Sequence, residues 1–258
     1  MDIINKEEAQ KEFIKFTENY DLTIDSIKRK QEHSIRVMEL CEKIAIEEGF
    51  SKEETEIAII IGLLHDIARF KQYTEYTTFR DDISFDHGDV AVDLLEKDNN
   101  LRKFIKTDKF DNIIKTAIKN HNKLKIEDGL NEEEEKYSKI IRDADKIDII
   151  YQATKKFIGP KKEEIENAKV NPEIKNEFDA GHIIDRSKYP IVTGADRLIQ
   201  LLTFVFDMNY KSSFKILKQE EYINKLINQF KFEDAYTAEA IIETRNKANE
   251  YILNKIQK

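Results

Sequence analysis

The amino-acid sequence predicts an all-α fold, and three observations carry that reading. Glycine and proline are scarce, seven and three in 258 residues, too few for the tight turns of an all-β chain. Apolar residues recur at helical spacing along most of the chain. Helix start and stop signals bracket those stretches. With 40% hydrophobic residues, the chain can also build a real core.

Taken in order, Lys6 to Asn19 reads as a first helix. A longer one starts near Asp25 or Ser26 and runs to Glu48, with Gly49 as its stop. Its apolar stripe includes Ile27, Ile35, Met38, Ile44 and Ala45. Cys41, the only cysteine, lies in this stretch and reads as packing. One thiol excludes an internal disulfide framework and a multi-thiolate zinc site. Ser51 and Glu54 have capping-box spacing and open a third helix, with Ile57, Ile60, Ile61 and Leu64 on one face. Hardly a polar residue interrupts Ile57 to Leu64, so this helix is expected to be deeply buried. It ends in His65-Asp66. Arg69 to Phe85, rich in Thr, Tyr and Asp, reads as a long functional loop. Short helices follow at His87 to Glu96 and at Asp111 to His121. Glu132 to Glu135 suit the positive end of a helix dipole and start a helix that continues to Tyr151. Gly159-Pro160 marks a break. Lys161 to Ala180 reads as two short polar helices, and Gly181 to Gly194 as a connector. Ala195 to Met208, Lys211 to Phe230 and Ala235 to Ile256 close the chain as helices. The expected organisation is a core over 1–158 and a helical extension over 159–258, packed as one compact unit.

Composition also bounds the function. There are 43 Lys and Arg against 51 Asp and Glu, a formal charge of −8, which argues against a nucleic-acid partner. The longest run free of charge and His is Leu198 to Phe206, nine residues, where a bilayer span needs roughly 20. The N-terminus, Met1-Asp2-Ile3-Ile4-Asn5-Lys6, has no apolar signal-peptide core, and a cytoplasmic protein is expected.

The chemistry concentrates around five histidines: His33, His65, His87, His121 and His182. His65-Asp66 ends an otherwise apolar helix. Burying both groups needs compensation, either a hydrogen-bonded pairing of the two or coordination to a metal. Gly62, one turn earlier, is expected to leave room beside the imidazole. A second acidic cluster, Arg142-Asp143-Ala144-Asp145-Lys146, also lies within an apolar helix, and Asp143 and Asp145 both compete for the core side. His33, His65, Asp66 and Asp145 together offer two imidazoles and two carboxylates, a set suited to divalent Mn, Fe, Co, Ni or Zn.

These residues resemble the signature of the HD-domain metal-dependent phosphohydrolase superfamily: His, then His-Asp, then a distant Asp. The matching positions are His33, His65-Asp66 and Asp145. The stretches Gly62 to Phe70, Thr78 to Asp81, Asp86 to Gly88 and Asp143 to Asp148 are similar to it as well, so the resemblance spans about Ile27 to Tyr151. It implies an HD-type helical bundle with additional C-terminal helices. It also implies that His33, His65, Asp66 and Asp145 hold one metal. Two-metal members add two histidines in the interval where His87 and His121 fall, and Asp66 would then bridge. The same two histidines could instead contact substrate in a one-metal site. Arg69 and Phe70 stand where alarmone hydrolases of the family carry Glu-Asp. Tyr189-Pro190 is preceded by Lys188 and does not form the Gly-Tyr-Pro element of its cyclic-dinucleotide phosphodiesterases.

The activity implied is hydrolysis of a nucleotide or other small phosphate ester or anhydride by attack of metal-bound hydroxide on phosphorus. One or two divalent ions are expected: Mn, Fe, Co, Ni, Zn or Mg. Asp66 would orient the water or take its proton. Arg69 and Lys146 are candidates for catalytic and phosphate contacts, and Arg80 for a further substrate contact. Tyr73, Tyr76 and Phe79 could stack on a base or simply pin their loop. Asp148 reads as supporting and His182 as structural. The rival readings are a non-catalytic nucleotide-binding regulatory module and a di-iron oxygen-dependent enzyme. The C-terminal helices also offer a surface for a homo-oligomer.

Overall fold

The computed structural model describes residues 3–156 and 160–257, and no strand occurs among them. The break at Gly159-Pro160 falls partly outside the described residues. No helix among the described residues is long and apolar enough to cross a membrane. The chain divides into two units, Met1–Asp145 and Lys146–Lys258. The sequence places a boundary between residues 158 and 159, at the Gly159-Pro160 break.

The first unit is built on two packed helices, α2 (Asp25–Glu47) and α3 (Lys52–Leu64), preceded by α1 (Lys6–Thr17). Asn5 caps α1 by accepting a 3.1 Å bond from the Glu8 amide. Gly49, at φ +77°, ends α2 in the left-handed region that glycine tolerates. Ser51 and Glu54 form the expected capping box at the start of α3. Every residue from Thr55 to Leu64 is buried, as the unbroken apolar text requires. The α2 stripe differs slightly from the sequence reading. Val37, Met38 and Cys41 are fully buried on it, while Ile35 is only partly covered. Gly62 has another purpose than the one expected. A Cβ there would stand 2.9 Å from Met38 Cα and 2.9 Å from Cys41 Sγ, so the missing side chain lets α3 approach α2 and does not make room for His65.

The expected loop from Arg69 to Phe85 is half wrong. Residues Ala68–Tyr76 form a helix, α4. Its Phe70 is fully buried, with its ring 5.9 Å from Phe13, 6.2 Å from Phe16 and 5.5 Å from Tyr20. Partners contributed by α1 and the turn after it make this polar-looking segment helical. Thr77, at φ +53°, then ends α4, and a short connection with one 3₁₀ turn, Asp81–Ile83, leads to α5 (His87–Glu96). A 3₁₀ segment at Lys97–Lys103 leads on to α6 (Asp111–Asn120) and then α7 (Glu132–Lys155).

Among its described residues the second unit holds the end of α7 and six further helices: α8 (Lys162–Glu166), α9 (Pro172–Asp179), α10 (Gly194–Thr203), α11 (Lys211–Gln219), α12 (Tyr222–Ile227) and α13 (Ala235–Gln257). The long α13 packs against α9, α10, α11 and α12. Phe206 stacks between Phe178 and Tyr251, at 5.0 Å from each. The helix expected over Lys211 to Phe230 is two helices, because Glu221 adopts φ +51° and turns the chain. The helix expected over Ala195 to Met208 stops at Thr203 and finishes as a 3₁₀ turn, Phe204–Phe206.

Candidate metal centre

Five helices of the first unit each present a polar group to one place. α2 carries His33, fully buried, on its inward side. α3 ends at His65, with Asp66 in the turn that follows. α5 begins with His87, behind an Asp86 side chain that accepts from the amides of Gly88 and Asp89. α6 ends at His121. α7 brings Asp145. The four imidazoles and Asp66 are buried, each 3% exposed or less.

The cluster has two halves joined by one carboxylate. In the first half, His33 Nε2 lies 3.2 Å from His65 Nε2. Asp66 Oδ2 is 3.4 Å from His33 Nε2 and 3.6 Å from His65 Nε2. Asp145 Oδ1 adds a fourth group, 3.1 Å from His33 Nε2 and 3.7 Å from His65 Nε2. In the second half, His87 Nε2 is 3.0 Å from His121 Nε2. The other oxygen of Asp66, Oδ1, lies 3.4 Å from His87 Nε2 and 3.6 Å from His121 Nε2. His33, His65 and Asp66, and separately Asp66, His87 and His121, are spaced as groups that could hold a metal ion.

Hydrogen bonds at the far side of the rings fix which nitrogen faces inward. His65 donates Nδ1–H to the Gly62 carbonyl at 2.8 Å, one turn back on α3. His121 donates Nδ1–H to the Ile118 carbonyl at 2.5 Å. His87 donates Nδ1–H to Asp81 Oδ2 at 2.6 Å. A neutral imidazole whose Nδ1 carries the proton has a bare lone pair at Nε2. In the second half two such lone pairs meet at 3.0 Å beside a carboxylate. Burial, with Arg69 adding to it, pushes His87 down to about 3, so its protonation does not relieve the contact near neutral pH. A divalent cation would relieve it, and imidazole with carboxylate is the donor chemistry such ions take.

The carboxylates are ionised. Burial alone would raise Asp66, but the Lys30 ammonium beside it, the largest opposing influence, holds it well below the usual carboxylate range. Burial likewise opposes ionisation of Asp145, and His33, 3.1 Å away, is the largest influence holding it well below the usual range. Asp143 is buried too, yet Asp145 is the carboxylate that reaches the His33–His65 pair. Burial, reinforced by Asp145 and Asp143, pushes the Cys41 thiol up, in keeping with a packing role.

Several residues that the sequence reading gave no role hold this arrangement. Lys30, one turn before His33, sets its ammonium 2.5 Å from Asp66 Oδ2. Asp81 orients His87 and is itself held by Arg69 Nη1 and Gln72 Nε2, each at 2.9 Å, and by Asn122 Nδ2 at 3.2 Å. Gln72, fully buried, also donates to Ser84 Oγ and the Phe85 carbonyl. Arg142 donates to the carbonyls of Asn120, Lys123 and Leu124 and so secures the turn that carries His121. Asp81 sits in the Thr78-to-Asp81 text that carries the family resemblance, and a helical-wheel count places Lys30 beside His33. Both were findable.

The expected substrate residues fare differently. Arg69 reaches the site, with Nε 3.4 Å from Asp66 Oδ1, but Nη1 also donates to Gln72, the Phe79 carbonyl and Asp81. Arg80 does not join the cluster. Its side chain is exposed and forks onto Asp82 at 2.6 Å, as two oppositely charged neighbours in a loop do when neither is buried. Lys146, the first residue of the second unit, pairs with Asp207 at 2.6 Å beside the Phe204 ring. Tyr73 and Phe79 stack at 4.9 Å, and Tyr76 meets Phe85 at 5.8 Å. Asp148 accepts from Gln152, and His182 pairs with Glu177 at an exposed position.

A search of curated proteins and of solved structures returned no significant match to the chain. A family model does match: the HD domain, over residues 31–150, an interval that begins just before His33 and ends just after Asp145. With its helices, its signature residues and its buried His and Asp clusters in agreement, residues 31–150 of this chain are an HD domain, followed by additional C-terminal helices.

Proposed function

We propose that the protein is a metal-dependent phosphohydrolase that cleaves a nucleotide or another small phosphate ester or anhydride. One observation carries the reading. The two oxygens of Asp66 face two different histidine pairs, which is the arrangement a bridging carboxylate needs between two divalent ions. His33, His65, Asp145 and Asp66 Oδ2 would hold one ion, and His87, His121 and Asp66 Oδ1 the other. Ions there would acidify a water and neutralise charge on phosphate oxygens.

The protein's own residues support the rest. Asp66, held ionised, serves as ligand and proton acceptor; it is not an acid at neutral pH. Arg69, fixed by Asp81 and the Phe79 carbonyl, offers a positioned guanidinium beside Asp66. The stacked Tyr73 and Phe79 next to it suit a base or other flat leaving group. The partner is a small phosphorylated molecule and not nucleic acid, in line with the −8 charge.

The test is phosphate release across a panel of nucleotides and phosphate esters, with Mn, Co, Ni, Mg, Zn or Fe supplied in turn and Asp66→Ala run beside the wild type. Expected is turnover that needs metal and vanishes in the variant, together with loss of bound metal. Metal bound without any turnover would instead favour a regulatory binding module. Two irons per chain with an oxygen-dependent reaction would favour oxygen chemistry.

A further inference from the structure

Lys30 is a cation at this centre that touches Asp66, the carboxylate shared by both halves, through a partly exposed side chain. Its ammonium lies 2.5 Å from Asp66 Oδ2, the oxygen that faces His33 and His65. It also lies 5.5 Å from the centroid of the Phe79 ring, and Arg69 Cζ lies 5.7 Å from the same centroid. The two cations thus meet one aromatic ring, and each touches a different oxygen of Asp66.

Their freedom differs. Arg69 is tied to Gln72, Asp81 and the Phe79 carbonyl as well as to Asp66. Lys30 contacts Asp66 and the Phe79 face, and its side chain is 20% exposed where Asp66 is 3% exposed. A four-carbon stem with a compact charge at its end can swing from one acceptor to another without rebuilding its surroundings.

Charge decides where it swings. Asp66, Asp145 and Asp81 supply three negative charges, and Lys30 and Arg69 two positive ones. These five groups carry a net charge of −1, one divalent ion takes it to +1, and a second takes it to +3. An ion at the His33–His65 half must also compete with Lys30 for the same oxygen, Asp66 Oδ2.

We propose that Lys30 is a phosphate-binding residue coupled to the metal site: it yields Asp66 Oδ2 to the ion and turns its ammonium to an oxygen of the substrate phosphate over the face of Phe79. This deepens the hydrolase reading and rests on it. The coupling has a sign that a supporting role lacks. If Lys30 only steadied Asp66, removing its charge would weaken metal binding. If it competes for Oδ2, removing its charge leaves metal affinity unchanged or raises it, while phosphate affinity falls.

The experiment uses the full chain as wild type, Lys30→Met and Lys30→Arg. Calorimetry measures Mn binding to each, and then binding of inorganic phosphate to the Mn-loaded proteins. Expected for Lys30→Met is Mn binding as tight as wild type or tighter, with phosphate binding weaker by about 10- to 100-fold, the loss of one charge-assisted hydrogen bond. Lys30→Arg should recover part of the phosphate affinity, which keeps the test informative should the Met variant fold poorly. Weaker Mn binding in Lys30→Met, or phosphate affinity equal to wild type in both variants, overturns the proposal. Wild type that binds Mn but no phosphate overturns it as well. Wild type that binds no metal overturns the hydrolase reading itself, a result distinct from any of these.

Discussion

The two units differ in how they bury polar groups. In the second unit several buried polar side chains are satisfied within their own helix. Thr203 donates to the Gln200 carbonyl and Thr244 to the Ala240 carbonyl, each within its own helix. Lys175 meets Asp179 one turn on and Glu243 of α13. In the first unit four imidazoles and two carboxylates from five helices converge, and three of the rings spend their Nδ1 protons facing away from the meeting point. Local satisfaction is what stability requires. Convergence with lone pairs turned inward stabilises nothing unless a cation is there to receive them. That contrast, more than the presence of His or Asp as such, marks the first unit as the place where a metal ion could be held.

The comparison can be broken most decisively at His121. His121→Ala should lower metal content by one ion per chain and leave the His33 half loaded, as read by elemental analysis after dialysis. Thr244→Val in the second unit should leave metal content unchanged. Equal stoichiometry in His121→Ala and wild type would reduce the centre to a one-metal site. A graded version uses Asp81. Asp81→Asn keeps the size but weakens the hold on the His87 tautomer, and metal affinity at the second half should fall about 10- to 100-fold while the first half is unaffected. A two-site isotherm with both constants unchanged would show that Asp81 only braces its loop. The smallest effect concerns the helix that delivers His65. Lys136, with the Ser51 amide and hydroxyl, holds Glu54 down to about 2, below its ordinary 4.5. The folded value is the lower one, so this contribution is complete above 4.5 and is lost as pH falls through about 2. Glu54→Gln should cost about 1 kcal/mol near pH 7, in the range of a helix cap and discounted for partial exposure. Denaturation midpoints of the two proteins should draw together in acid. A gap that persists at pH 2 would assign the loss to packing and not to charge.

Much of the fold was legible because helix ends announce themselves locally. The Ser51–Glu54 box, Gly49 and the bounds His87–Glu96 each depend on a few adjacent residues, and the structure has them where the spacing put them. The site was legible for a different reason. His65-Asp66 and Asp145 stand out because polar residues interrupt apolar helices at costly positions, and that cost is readable without coordinates; His33, between Glu32 and Ser34, carries no such signal and is singled out by the family resemblance.

What resisted reading depended on neighbours far away in the chain. Ala68–Tyr76 is helical because Phe70 finds Phe13, Phe16 and Tyr20, none of which its own segment names. Gly62 is small because Met38 and Cys41 press against it from α2. Arg80 was expected at the site and Asp81 was passed over, yet the two adjacent side chains go opposite ways, one to solvent and one to His87. Periodicity and capping are short-range and survive in one dimension, so the all-α class and many of the helix ends were already present in the order of amino acids. Which oxygen of Asp66 serves which histidine pair, and that Lys30 shares one of them, follows from packing five helices around one point, and only the folded chain brings those distances into being.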